Sequence, residues 1–242
     1  MIRTCQEVKR LKVPRSFYPK NQGTPIHQQL FAFADASDLA LCYVIYLRTL
    51  TTENKVFVSF VCGSTKVLPK GTSLKGQLSI PRAELCAADE LAKQVLQVEN
   101  EIDIDLHPTQ FFTDSADVLA WINNTKDTAK RYITSRKDRI CKLTDATQWR
   151  YIPTHLNPAD IGTRPISVED LEKSDWIKGP KFLYQDIPMV PEKPVTNLVP
   201  QVLFTAPSRS FFLTKTRYAT EEITTGSRWS QLVANNKTNQ TP

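Results

Sequence analysis

Three apolar, β-rich runs in close succession, at residues 30–34, 41–47 and 56–61, constrain this chain more than any other feature. Turn-forming Ala36, Ser37 and Asp38 separate the first two, and a polar stretch over 48–55 separates the second and third. Short runs bounded in this way read as consecutive strands of a meander. A loop carrying Gly63, Pro69, Gly71 and Gly76 is expected next. Ser79 followed by Pro81 then reads as an N-cap with proline in the first helical turn. The helix they open is expected to reach about residue 98, with Ala83, Ala87, Leu91 and Val95 along one face.

Beyond a break at His107 and Pro108, residues 110–113 read as a fourth strand and 115–123 as a helix. A second helical stretch over about 129–143 turns Ile133, Ile140 and Leu143 inward and a crowd of bases outward. Residues 149–152 read as a fifth strand stopped by Pro153, and Pro158 stands where a short helix can begin. The order β-β-β-α-β-α-α-β-α implies an α/β domain, a five-stranded mixed sheet flanked by helices. Trp121, Trp149 and Trp176 read as packing residues. Within residues 188–207 five prolines occur, and the remainder is rich in Ser, Thr and Asn, the composition of a linker and tail. The expected partition is a basic extension over 1–27, one domain over 28–185 and a proline-rich, disordered tail over 186–242.

Four carboxylates occupy places where a carboxylate is locally odd. Asp35 closes an apolar strand, Glu84 lies in the second turn of an apolar-faced helix, Asp114 ends another strand and Asp160 follows the fifth. Each alone is explained as a cap or a helix-terminus charge. Together, in a meander with crossing helices, the ends of the first and fourth strands and the start of the first helix can meet at one edge of the sheet. Gathered carboxylates repel one another and resist ionisation unless cations neutralise them. Mg²⁺ does so with oxygen ligands while keeping waters and substrate phosphate oxygens, and two such ions can drive phosphodiester cleavage.

The stretches FADAS (33–37), LSIPRAELCAA (78–88), FFTDSADVLAWI (111–122) and the block over 149–183 that begins WRYIPTHLNPADIGTRP resemble the type 1 ribonuclease H domain of Pao/BEL-type retrotransposon Pol polyproteins. The likeness covers about residues 28–185. It implies a ribonuclease H-like fold whose carboxylates bind two Mg²⁺ ions, or Mn²⁺ in their place, and which cuts the RNA strand of an RNA/DNA hybrid. By matching stretch, Asp35 would bridge the metals, Glu84 and Asp114 would complete the central set, and Asp160 would hold the second ion. Glu84 in the helix directly after three strands favours ribonuclease H over the related integrase nucleases, whose glutamate comes late in the fold. His155, five residues before Asp160, reads first as a solvent-facing loop side chain and second as a catalytic aid to proton transfer or product release. His27 and His107 read as surface residues.

The net charge of +6 is unevenly spread: residues 1–20 carry +5 and residues 191–242 carry +3. Residues 126–142 hold seven bases against two acids. Lys130, Arg131, Arg136 and Lys137 are the expected phosphate contacts of a nucleic-acid face, with a solvated helix face as the alternative. Ser115 and Asn157, or backbone amides near Asp35 and Glu84, are candidates for sensing the RNA 2′-hydroxyl. No apolar run approaches the ~18–20 residues that span a bilayer, and five widely spaced cysteines without a CxxC pair suit an intracellular setting. The chain carries no YxDD polymerase signature, HHCC zinc module or second acidic triad. Residues 1–27 resemble a connection from a reverse transcriptase, and the tail resembles the lead into an integrase region, so both are expected partners within one polyprotein. The alternative to an active nuclease is a catalytically inactive nucleic-acid-binding or interaction module that keeps the fold.

Overall fold

The computed structural model describes residues 13, 14, 16–18, 22–68, 79–124 and 131–185. They lie in one compact unit, Met1–Val195, and the remaining unit, Thr196–Pro242, falls outside the described residues. Strands β1 (Pro25–Ala36), β2 (Ala40–Thr51) and β3 (Val56–Val67) form the antiparallel meander. β4 (His107–Thr113) and β5 (Trp149–Tyr151) add in parallel on the other side of β1, giving the order β3-β2-β1-β4-β5. The parallel step from β3 to β4 requires a crossover, and helix α1 (Ile80–Glu101) supplies it. Helices α2 (Ala116–Asn123) and α3 (Arg131–Leu143) connect β4 to β5. Short helices α4 (Pro158–Gly162), α5 (Val168–Lys173) and α6 (Asp175–Lys178) follow β5. This topology is that of a ribonuclease H-like fold.

The strands run further than their apolar runs. Polar residues at their ends are carried by the ladder, as where Gln28 opposes Thr49 and its Nε2 donates to the Thr49 hydroxyl at 3.2 Å. Gly63, expected in a loop, lies inside β3 for the same reason, opposite Val44. Gly71, Gly76 and Pro69 fall outside the described residues.

Both faces of the sheet are buried, which is why β1 and β2 read as nearly continuous apolar runs rather than alternating ones. Leu30, Ala32 and Ala34 share one core with Ala83, Ala87, Leu91 and Val95 of α1. The intervening Phe31 and Phe33 share the other with Tyr46, Phe112, Trp176, Phe182 and Leu183. Each fully buried side chain of this size contributes ~1.5–3 kcal/mol. Ser79 caps α1 by its backbone position alone, with no side-chain bond, and Pro81 stands in the first turn. Asp89, buried on α1, accepts two bonds from Arg139 of α3, at 2.8 and 2.7 Å, and one from Lys93 at 3.1 Å.

The segment after β5 covers the second face and is tied down by polar groups of β2. Arg48 is buried and donates from Nε to the Leu183 carbonyl at 2.9 Å and from a terminal nitrogen to that of Gln185 at 2.6 Å. The Tyr46 hydroxyl lies 2.8 Å from the Asp175 carbonyl and 2.9 Å from that of Trp176. Trp149 and Trp176 are buried in the two cores. Two glycines make room for the Trp176 indole. A methyl group on Gly63 would stand 2.6 Å from its Cζ2, and one on Gly162 would stand 2.3 Å from Cys42 Sγ and 2.8 Å from the same indole. Gly63→Ala is therefore expected to cost ~1–3 kcal/mol in denaturant unfolding through overpacking. The cost should largely vanish in a Trp176→Leu background; an equal cost with and without the indole would refute this packing account.

Candidate functional site

Residue pairing delivers the first two acids to one place. β1 and β4 run parallel in the register Phe33↔Phe112, Ala34↔Thr113, so the next step along both chains is Asp35 and Asp114. Asp35 is 5% exposed. Glu84 arrives from the second turn of α1 and is held by Ser115, whose hydroxyl donates to Glu84 Oε2 at 2.6 Å. The Ser115 oxygen also accepts from the Val118 amide at 3.3 Å as the N-cap of α2. Asp160 arrives on α4, which Asn157 caps by accepting from the Ala159 amide at 3.1 Å. The Asn157 side-chain amide donates to the Ala34 carbonyl at 3.0 Å and reaches Asp114 Oδ1 at 3.4 Å. One buried side chain thus pins α4 to the ends of both central strands.

The electrostatics show that these acids share a neighbourhood. The Asp35 carboxyl is pushed up from 3.8 to about 7, first by burial and then by the charges of Asp114 and Asp160, with Glu84 adding to them against a bond from the Ala36 amide. Glu84 is also raised, by burial foremost, with Asp114 and Asp117 contributing and the Ser115 hydroxyl opposing. Asp160 is ion-paired at 2.9 Å with Arg164, one helical turn on. A cavity of about 500 Å³ lined by Leu39, Ala40, Val67, Gly162, Thr163 and Arg164, among others, opens beside it.

Four hard-oxygen acids, one of them raised to about 7 by burial and by the charges of the others, suit a divalent cation in kind. As their side chains stand, among the described residues no three His, Cys, Asp or Glu groups are assembled as a ready metal cage. Glu84 is turned to Ser115, Asp114 to Asn157 and Asp160 to Arg164.

The remaining candidates separate. His155 is exposed on the single turn Thr154–Leu156 between β5 and α4. His27 and His107 lie at the opening ends of β1 and β4, at the opposite end of these strands from Asp35 and Asp114, with their rings stacked at 3.8 Å. His27 is half-buried and lowered to about 4, by burial and then by His107, which corrects the surface reading for that residue. Lys130 falls outside the described residues, and Arg131 is exposed. Lys137 is buried, a departure from the outward basic face, because it sits between Ile133 and Ile140 at spacings of four and three. Arg136 is half-buried, with its guanidinium 3.7 Å above the Tyr132 ring and Nε 3.2 Å from Cys86 Sγ. Ser115 and Asn157 spend their polar atoms inside the protein, so both serve to position acids. Arg164 was not anticipated, although its i,i+4 spacing from Asp160 is visible in the sequence. Cys42, Cys62, Cys86 and Cys141 are free thiols, and among the described residues no helix is long and apolar enough to cross a membrane.

Residues 1–115 match the family model described as a Pao retrotransposon-like RNaseH-like domain. The match takes in Asp35, Glu84 and Asp114 and stops before Asp160. No curated protein matches the chain. Among solved structures, the N-terminal ribonuclease H domain of rv2228c from Mycobacterium tuberculosis aligns at 11% identity, over 56% of this chain and 93% of that one, with a TM-score of 0.35. Ribonuclease H1 of Halobacterium salinarum NRC-1 aligns at 14% identity over 61% and 99%, with a TM-score of 0.34. The protease-reverse transcriptase of prototype foamy virus aligns at 13% identity over 65% of this chain and 21% of its own, with a TM-score of 0.32.

A buried acid with a raised pKa leaves a mark on stability. Below the unfolded value of 3.8 both states carry the proton and Asp35 contributes nothing; as pH rises from there to about 7 the penalty on the folded state grows, and above that it stays constant. In chelator-treated buffer, Asp35→Asn is expected to match wild type at pH 4 and to exceed it by ~2–4 kcal/mol at pH 8. Stability curves that coincide across this range would show that the acid is not under strain.

Proposed function

We propose that residues 28–185 form a metal-dependent ribonuclease H that hydrolyses the RNA strand of RNA/DNA hybrids, with Mg²⁺ as the natural ion at two positions and Mn²⁺ as a substitute. The observation that carries this reading is the raised Asp35 carboxyl, whose ionisation is opposed first by burial and then by the charges of Asp114, Asp160 and Glu84 from three other parts of the chain. When bound, the divalent ions lower the pKa of water and stabilise the leaving oxygen. Asp35, which feels the charges of all three others, would be shared by the ions, Glu84 and Asp114 would help to hold one of them, and Asp160 would help to hold the second. Ser115 orients Glu84, and Asn157 orients Asp114 while anchoring the helix that carries Asp160. His155, exposed on the turn before α4, is free to assist proton transfer or product release at the rim. Selection of RNA falls to backbone amides near Asp35 and Glu84, since Ser115 and Asn157 are engaged internally.

Arg131, together with Lys130, supplies phosphate contacts at the start of α3; Arg136 adds a stacked guanidinium, and Lys137 serves packing instead. The match of residues 1–115 to a Pao retrotransposon-like RNaseH-like domain supports the further reading that this activity serves reverse transcription, beside polymerase and integrase segments of one polyprotein.

Wild-type protein with Mg²⁺ or Mn²⁺ is expected to cut only the RNA strand of an end-labelled hybrid. Asp114→Asn should lower cutting by at least ~10³-fold, the scale expected when a transition-state charge stabiliser is lost, while hybrid binding persists. Wild type that binds hybrid but turns over with neither ion would contradict the reading. Replacing Lys130 and Arg131 by Gln should weaken hybrid binding and reduce its log–log salt slope by about 1–2; an unchanged slope would show that this end of α3 faces solvent only.

A further inference from the structure

Asp160 has a cation beside it already. Arg164 donates to Asp160 Oδ1 at 2.9 Å, and the side chains are 68% and 27% exposed respectively. Asp160 also contributes to the field that raises Asp35, so it is repelled by the cluster on one side and attracted by a guanidinium on the other. A guanidinium is a fixed cation, so near neutral pH this pairing ends by displacement of Arg164. Displacement is easy for an exposed i,i+4 pair, because water and salt screen most of its attraction. The Arg164 side chain is mostly exposed, and the residue borders the cavity that Leu39, Val67 and Pro165 help to line.

We propose that Arg164 is a positioning residue that holds the Asp160 carboxylate as a stand-in for the second divalent ion and is displaced when that ion binds. The inference rests on the metal-dependent reading above. Arg164 and a divalent ion would compete for the Asp160 carboxylate, so the guanidinium would lower divalent affinity there while neutralising the acid without metal. Both ends of the competition lie on α4 and its first following residues, so the effect is local.

The test is Mn²⁺ binding to the full chain, followed by the electron spin resonance of free Mn²⁺, with no nucleic acid present. Arg164→Gln should bind its weaker Mn²⁺ ion about two- to fivefold more tightly than wild type, the range an exposed pair can yield. Arg164→Lys, which keeps a charge, should stay near wild type. In an Asp160→Asn background the difference between Arg164 and its Gln replacement should disappear. Equal or weaker Mn²⁺ binding by Arg164→Gln would overturn the proposal, as would an unchanged gain in the Asp160→Asn background. Absence of any Mn²⁺ binding that Asp114→Asn abolishes would instead overturn the metal-dependent reading beneath it. Unfolding curves without metal separate these outcomes from misfolding: Arg164→Gln should remain as cooperative as wild type.

Discussion

The parallel pairing of β1 with β4 is the constraint on which the rest of the site depends. Its register carries two apolar strands to a common end and leaves Asp35 beside Asp114 at the point where the ladder stops. Two carboxylates so placed, one of them almost wholly removed from water, oppose folding at neutral pH unless something offsets their charge. The neighbouring structure is arranged around that cost. Two buried cores hold the strands in place, and Ser115 and Asn157 lock the adjoining helices against their ends.

The supporting residues are as telling as the acids. A serine that caps α2 while gripping Glu84 couples the first long helix to the end of β4. An asparagine that caps α4 while bonding Ala34 and Asp114 couples the last acid to the centre of the sheet. Such shared bonds set an orientation that single contacts would leave loose. Arg48 and Tyr46 reach from β2 to carbonyls at Leu183, Gln185, Asp175 and Trp176 and so hold the segment after the Asp160 helix against the second core. Metal-dependent cleavage of RNA in a hybrid is the proposed use of this arrangement.

Much of this was legible in the residues because strands and amphipathic helices announce themselves by period. Ala83, Ala87, Leu91 and Val95 all pack inward on α1, and the five strands fall where apolar runs were read. The four acids stood out because Asp35 and Asp114 end apolar strands, Glu84 lies in the second turn of an apolar-faced helix and Asp160 follows the fifth strand, and the charges of the other three act on Asp35. What escaped was set by distant partners. Gly63 looks like a loop residue until Trp176, more than a hundred positions away, is seen to need its missing side chain. Lys137 looks like surface charge, yet its position on the helical wheel between Ile133 and Ile140 turns it inward. Asn157 looks available to a substrate until its hydrogen bonds to Ala34 and Ala159 are counted.

Carbon-detected NMR of the side-chain carboxyls, titrated without metal, reads the central claim most directly. The Asp35 carboxyl should lose its proton near pH 7 in wild type, and at distinctly lower pH once Asp114 and Asp160 are replaced by asparagine. An Asp35 signal that titrates in the ordinary carboxylate range, indifferent to both replacements, would mean that the acids do not share a site.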